Sequence, residues 1–338
     1  MGDNSYGKLG IGNGDHYHYS PQQISFFKNP EEIISLCCGF DFCVCICKNG
    51  VFSWGRNFEG QLGIGNSWSQ PSPQQITFFQ NSEEIISLSC GELFCVCICK
   101  NGVFSWGNNL YGQLGIGTLY SCDSPRRIEF FKDPEEIIYL SCGNAFCVCV
   151  CNNGVFSWGN NHCGQLGIGN QINQSSPQQI LFFKNPEEII SLSCGNGFSI
   201  CLCKNGVFSW GFNIYGELGI GNRTKQFSPR QIKFFKNPEE IISLCLGNDF
   251  SICICKNGIF GWGKNFDKDV NIYPKQIFLG EEIKSFYDLS FPQSSIHFNR
   301  YYKKLLFILA REYLNPDEFL FGKYYLPMDL FRLLIKFI

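Results

Sequence analysis

The sequence predicts an all-β fold: a β-propeller of about six four-stranded blades, closed by half units at its two ends and followed by a short helical tail. Three observations carry that expectation. Trp54, Trp106, Trp158, Trp210 and Trp262 recur at a fixed interval of 52 residues, in the range of propeller blades. Every interval holds short runs of clustered or alternating β-branched, aromatic and small apolar residues, such as CVCIC at 95–99 and VFSW at 103–106, which read as strands. Between these runs stands Asn-Gly, at 49–50, 101–102, 153–154, 205–206 and 257–258. That dipeptide is a strong hairpin signal and predicts a type I′ turn, because both residues tolerate positive φ.

In chain order, residues 2–30 form a half unit whose Pro21-Gln22-Gln23-Ile24 reads as a lone outer strand. Five full units follow, each running from EEIISL through the cysteine-rich strand and VFSWG to a PQQI-like strand. No window holds a 3.6-residue period, which excludes a two-helix repeat. After the fifth unit, Glu281-Glu282-Ile283-Lys284-Ser285-Phe286 echoes EEIISL. A half unit at each end suits ring closure, with the first strand completing a blade begun by the last, so that no sheet edge is left open. The propeller is expected over residues 1–290 and the tail over 291–338, with helices at 300–314 and 326–338.

The stretch Trp-Gly-x-Asn-x-x-Gly-Gln-Leu-Gly-Ile-Gly packs four glycines into eleven positions. Such density calls for a compact loop with several backbone positions closed to side chains. A phosphate cradle would need a following helix, and none follows. Taken together, Cys-Gly, an alternating strand, Asn-Gly, then Ser-Trp-Gly-x-Asn-x-x-Gly-Gln-Leu-Gly and Ser-Pro-x-x-Ile resemble the regulator of chromosome condensation repeat over residues 2–280. The resemblance implies a ring of blades, usually seven in that family. It also raises guanine-nucleotide exchange on a small GTPase, the activity of the founding member. By the same resemblance that activity depends on a loop insertion, and no unit here is longer than its neighbours.

Composition narrows function further. The formal charge is −2, which offers no general attraction to nucleic acid or an anionic membrane. No leader or membrane-length apolar run is read from the sequence, so a cytoplasmic or nuclear monomer is expected. The 21 cysteines include Cys-x-Cys-x-Cys at 43–47, 95–99 and 147–151. Spread along one strand face, such thiols do not converge on a tetrahedral ion, so they are expected to pack as small apolar residues, without metal and without disulfides. His16, His18, His162 and His297 make no ligand or nucleophile spacing, and no cofactor is expected. The paired glutamates at 31–32, 83–84, 135–136, 187–188, 239–240 and 281–282 recur in every unit. An enzyme site is single, so they read as a solvated rim.

Where the units differ is where a partner is expected. The stretches 13–20, 66–72, 118–124, 170–176 and 222–228 share almost nothing, although their flanks are nearly identical. Variable loops on a constant frame form the binding face of many repeat proteins. Tyr6, Phe58, Trp68, Tyr111, Tyr120, His162 and Tyr215 are the candidate partner-binding residues, since aromatic side chains dominate binding hot spots. The expected function is a non-catalytic protein–protein interaction platform. Its alternatives are nucleotide exchange on a small GTPase, or a ubiquitin-ligase component. In the latter, Leu326-Pro327-Met328-Asp329-Leu330 onward resembles the first helix of an F-box and would hook an adaptor.

Overall fold

Each 52-residue unit folds into one four-stranded antiparallel meander in the computed structural model, which describes residues 2–14, 17–264 and 270–277. The first sheet holds β1 (Ile33–Cys38), β2 (Phe42–Cys47), β3 (Gly50–Gly55) and β4 (Gln70–Gln75). The second holds β5 (Ile85–Cys90), β6 (Phe94–Cys99), β7 (Gly102–Gly107) and β8 (Cys122–Arg127). The third holds β9 (Ile137–Cys142), β10 (Phe146–Cys151), β11 (Gly154–Gly159) and β12 (Gln174–Gln179). In the fourth are β13 (Ile189–Cys194), β14 (Phe198–Cys203), β15 (Gly206–Gly211) and β16 (Gln226–Gln231). The fifth comprises β17 (Ile241–Leu246), β18 (Phe250–Cys255), β19 (Gly258–Gly263) and β20 (Asn271–Ile277). In every sheet the spatial order is the chain order. The first strands of successive sheets touch one another in series, β1 to β5 to β9 to β13 to β17, and so line the inner side of the array.

The Asn-Gly hairpins form, but not with the expected turn. Cys47 pairs with Gly50, so the two turn residues are Lys48 and Asn49, and neither has positive φ. The positive φ falls one residue later, on Gly50 at 147°. The dipeptide marked the hairpin because its glycine opens the returning strand, not because it forms a type I′ turn. A shift in register between Ile33 and Ser35, repeated at Ile85/Ser87, Ile189/Ser191 and Ile241/Ser243, swings the second isoleucine outward, leaving Ile34, Ile86, Ile190 and Ile242 exposed.

The core lies between sheets. Phe42, Val44 and Val51 of the first sheet, with Leu62, Ile76 and Phe79 from the connection, pack against Cys95, Cys97, Cys99, Phe104 and Trp106 of the second. The same layering recurs at each following junction. The strand cysteines are therefore the thin side of an apolar joint, where a small side chain admits the neighbouring sheet's Phe and Val. All five Trp-Gly tryptophans are buried. Each indole Nε1 donates to a backbone carbonyl of the preceding connection: Lys8 (3.1 Å), Gln61 (3.0 Å), Gln113 (2.9 Å), Gln165 (2.9 Å) and Glu217 (2.7 Å).

Residues 2–14 and 17–29 stand to the first sheet as a full unit's connection stands to the next sheet. Lys8 takes the Trp54 bond, and Ile24 and Phe27 pack on the first sheet's cysteines and Trp54. Pro21–Ile24 belongs to no ladder among the described residues. The echo at 281–286 and both tail helices lie outside the described residues.

Candidate interaction face

The long connection after the third strand of each of the first four sheets is built around one buried asparagine. Asn57 Nδ2 donates to the carbonyls of Asn66 (2.8 Å) and Trp68 (3.1 Å), while its Oδ1 accepts from Leu62 N (2.9 Å). Asn109 binds Thr118 O and Tyr120 O at 2.9 and 3.0 Å. Asn161 binds Asn170 O and Ile172 O at 3.0 and 3.1 Å, and Asn213 binds Asn222 O and Thr224 O at 2.9 and 3.1 Å. Each clip grips the variable stretch by its backbone, which leaves the side chain free to differ. Trp68, Tyr120, Ile172 and Thr224 thus occupy one structural position, although the surrounding sequences look unrelated. Trp68 is 76 % exposed and Tyr120 81 %.

Two pairs of the candidate residues meet across neighbouring loops, Tyr6 with Phe58 and Tyr111 with His162, whereas Trp68, Tyr120 and Tyr215 are not brought against another candidate among the described residues. Tyr6 meets Phe58 of the next loop edge to face at 5.3 Å, and Arg56 lies over both rings at 5.7 and 5.4 Å. Glu59 accepts from Asn108 Nδ2 at 2.9 Å. Tyr111 meets His162 at 5.8 Å. Tyr215 carries Lys264 Nζ over its ring at 4.4 Å and is half-buried, less accessible than Tyr6, Phe58 and His162. Arg56, Asn108 and Lys264 therefore complete the surface of the preceding loop. Sequence reasoning missed Arg56, Asn108 and Lys264 in this role. Their signal was their own variability one place before a constant asparagine.

The hairpin turns between the first two strands of each sheet lie at the same end. They bond sheet to sheet: Phe40 N to Glu92 O (2.9 Å), Glu92 N to Asn144 O (2.9 Å) and Asn144 Nδ2 to Asn196 Oδ1 (2.5 Å). The variable loops are tied to them through Arg56 N to Asp41 O (2.8 Å), Asn160 N to Ala145 O (2.9 Å) and Lys264 N to Asp249 O (2.8 Å). Burial raises the Glu92 pKa. Against the cost of burial, hydrogen bonds from Lys8 and Ser5 hold the Asp3 carboxyl below its usual range, and Lys8 bridges onward to Asp41 at 2.8 Å. A cavity of about 530 Å³ opens beside them, lined by Asp3, Ser5, Tyr6, Tyr17, Ser69 and Pro71 among others.

The loop after the third strand of the fourth sheet departs from its siblings. Glu217 replaces the glutamine found at Gln61, Gln113 and Gln165. It is fully buried, its Oε2 accepts from Tyr215 N at 2.9 Å, and its Oε1 finds no hydrogen-bond partner. Gln113 Nε2 by contrast donates to Asn108 Oδ1 at 2.7 Å, and Phe212 stands where that asparagine would be.

At the opposite end, Asn29, Asn81 and Asp133 cap single 3-10 turns by accepting from Glu31 N, Glu83 N and Glu135 N. The second glutamate's carbonyl accepts the turn amide of Lys48, Lys100, Lys204 or Lys256 at 2.8–2.9 Å. The glutamate pairs thus shape a connection and lie away from the variable loops. No group of three or more His, Cys, Asp and Glu is placed to hold a metal among the described residues, and no helix there is long and apolar enough to cross a membrane.

Comparison with known proteins fits this anatomy. A sequence profile of the RCC1-like domain matches residues 1–281. The ultraviolet-B receptor UVR8 of Arabidopsis thaliana is 30% identical over 243 residues, covering 70% of this chain and 54% of the receptor. The probable E3 ubiquitin-protein ligase HERC6 of Homo sapiens is 31% identical over 241 residues, covering 69% of this chain and 23% of the ligase. Among solved structures, human WBSCR16 superposes with a TM-score of 0.62 at 22% identity, over 75% of this chain and 70% of that one. Prp20p of Saccharomyces cerevisiae, described with its binding properties to Gsp1p and histones, gives 0.55 at 20% identity, over 82% and 85%. These two likenesses show the fold. The match spans about half of the receptor and less than a quarter of the ligase.

Proposed function

Because the chain belongs to the RCC1-like domain family, we propose that it is a non-catalytic interaction platform whose protein partner docks on the variable-loop face. One observation carries this reading: buried asparagines fix the loop backbones identically while the side chains they hold outward differ from sheet to sheet. The aromatic weight is uneven. Tyr6, Phe58, Trp68, Tyr111 and Tyr120 belong to the first three loops, and the later loops offer Ile172, Ile214 and a half-buried Tyr215. The footprint is therefore placed over the first three loops. Adaptor binding through residues 326–338 is an alternative that the same experiment separates, and exchange on a small GTPase is one that a nucleotide-exchange assay on any GTPase captured separates.

We further infer that the propeller spans residues 1–290 and closes through a sixth blade assembled from both ends. In support, Ile252, Ile254 and Ile259 of the fifth sheet, which correspond to residues that face a following sheet elsewhere, are buried.

The test begins with partners captured from host-cell extract on the wild type and on Trp68→Ala/Tyr120→Ala. For a recovered partner, each substitution is expected to weaken binding by about 1–3 kcal/mol. Glu135→Lys/Glu136→Lys is expected to bind as wild type. Binding that survives both aromatic changes but is lost with the glutamate change, or with deletion of 326–338, overturns the assignment.

A further inference from the structure

Three of the five sheets carry a cysteine pair at the same cross-strand position. Cys38 faces Cys43, Cys90 faces Cys95 and Cys142 faces Cys147, with Sγ–Sγ distances of 2.8, 3.5 and 3.1 Å. Beside the last pair, Gly143 N donates to Phe146 O at 2.8 Å, and Gly39 and Gly91 make the same bond to Phe42 and Phe94. The cysteines thus occupy the neighbouring non-hydrogen-bonded pair, whose Cα atoms lie ~4.5 Å apart in antiparallel sheets. That falls within the ~4.4–6.8 Å window of a disulfide. Linking the sulfurs needs rotation of the side chains and no movement of the backbone.

Access separates the three pairs. Cys90 and Cys95 are 2% and 0% exposed, and Cys38 and Cys43 are 5% and 9%. Cys142 alone among the six is only half-buried, while Cys147 opposite it is sealed. Burial raises the thiol pKa of Cys90, Cys95 and Cys147, and a protonated thiol is a poor nucleophile. Among the three pairs, the third sheet's alone sets a half-buried first cysteine against a shielded second one.

We propose that Cys142 and Cys147 form a thiol modification site that a peroxide converts to a disulfide. The Cys142 thiolate attacks one peroxide oxygen and the O–O bond breaks, leaving a sulfenic acid on Cys142 and releasing hydroxide, which takes up the thiol's proton as water. Cys147 sulfur then attacks the Cys142 sulfur, the S–S bond forms and a second water departs. Two thiols and one hydrogen peroxide give one disulfide and two waters.

The site sits beneath the variable-loop face. Cys147 Sγ approaches Gln113 O at 4.0 Å, the carbonyl that also holds Trp158 Nε1, and the Gln113 side chain orders Tyr111 N at 3.0 Å. The hairpin that the bond would close bears Ala145, whose carbonyl accepts Asn160 N beside His162. The chain carries its own comparison. In the fourth sheet a half-buried Cys194 faces Ser199 at 3.6 Å, so that cross-strand position holds a hydroxyl where the third sheet has a thiol.

The test uses the full chain, reduced, desalted and exposed to hydrogen peroxide, then alkylated in denaturant, digested and sequenced by mass spectrometry. The expected first product is a loss of two hydrogens localised to Cys142 and Cys147, formed at least ~10-fold faster than a bridge at Cys90–Cys95. Ser199→Cys is expected to create a new bridge to Cys194 in the fourth sheet. Cys147→Ser should leave Cys142 trapped as sulfenic acid. Alkylated Cys142 and Cys147 after Cys194 has reacted, or a first bridge at Cys90–Cys95, overturns the proposal. Both outcomes are read on the unsubstituted chain, so a misfolding variant does not shelter it.

Discussion

Substituting two neighbouring glycines of one loop separates backbone strain from steric intrusion. Gly115 and Gly117 both hold left-handed conformations, with φ at 68° and 80°. A Cβ on Gly117 would meet only Ser176 Oγ, at 3.7 Å, whereas a Cβ on Gly115 would stand 2.8 Å from Trp158 Nε1. That indole is fully buried and anchored to Gln113 O, so it has nowhere to retreat. Gly117→Ala carries the left-handed penalty of ~1–2 kcal/mol, less the ~0.4–1 kcal/mol by which alanine restricts the unfolded chain, for a net loss of about 1 kcal/mol. Gly115→Ala adds overpacking of ~1–3 kcal/mol and a strained or lost buried hydrogen bond of ~1 kcal/mol, for a total near 3–5 kcal/mol. The assay is urea unfolding of the full chain followed by tryptophan fluorescence and by circular dichroism. Trp158→Phe, which removes Nε1 and shortens the ring, should be markedly less harmful on the Gly115→Ala background than alone, with a coupling of about 1–3 kcal/mol. Equal losses at the two glycines, or strict additivity with Trp158→Phe, would show that the indole does not set the glycine requirement.

Glu217 should give the fold a measurable acid preference. Burial, opposed by hydrogen bonds to its own loop's amides and reinforced by the charge of Asp249, with Lys264 acting the other way, raises its pKa from 4.5 to about 7. The folded state then binds more protons than the unfolded chain across that window, so stability falls as pH rises from about 4.5 to 7, by ~3 kcal/mol in full. Glu217→Gln should flatten that slope and stabilise the protein at pH 8, and an unchanged pH profile of the melting temperature refutes the assignment. Removing residues 291–338 should leave a single cooperative unfolding transition near that of the full chain, as expected if the propeller ends at 290. A truncated chain that melts in several steps, or aggregates on purification, places the boundary elsewhere.

The frame was legible because it is written five times. A fixed tryptophan interval, a hairpin dipeptide and a glycine-dense loop each stand for a backbone requirement, and such requirements survive in sequence. The type I′ turn was misread because Asn-Gly reports a positive-φ demand at the glycine without saying which residues span the turn. The cysteines were understood as small packing residues along one strand, but their cross-strand partners were not. That signal was present as Cys-Gly-x-x-Phe-Cys, since cysteines five apart around a two-residue turn must face each other. Glu217 was legible too, as the one acidic residue in a Gly-Gln-Leu-Gly series, but its consequence needed the burial and Phe212 beside it. The contacts linking one loop to the next were beyond reach, because they join residues roughly fifty positions apart.

Those contacts change how the variable face should be understood. A loop on a constant frame is often treated as an independent unit, free to vary alone. Here the surface of four loops is finished by residues of the next: Arg56 and Phe58 against Tyr6, Asn108 against Glu59, His162 against Tyr111, Lys264 against Tyr215. A substitution at one position therefore alters the packing presented by its neighbour. The buried asparagine clips make that coupling tolerable, because they hold the backbone whatever the side chains do. Variation is thus confined to side chains coupled to those of a neighbouring loop, while the tryptophan anchors and the cysteine-lined joints beneath carry the stability.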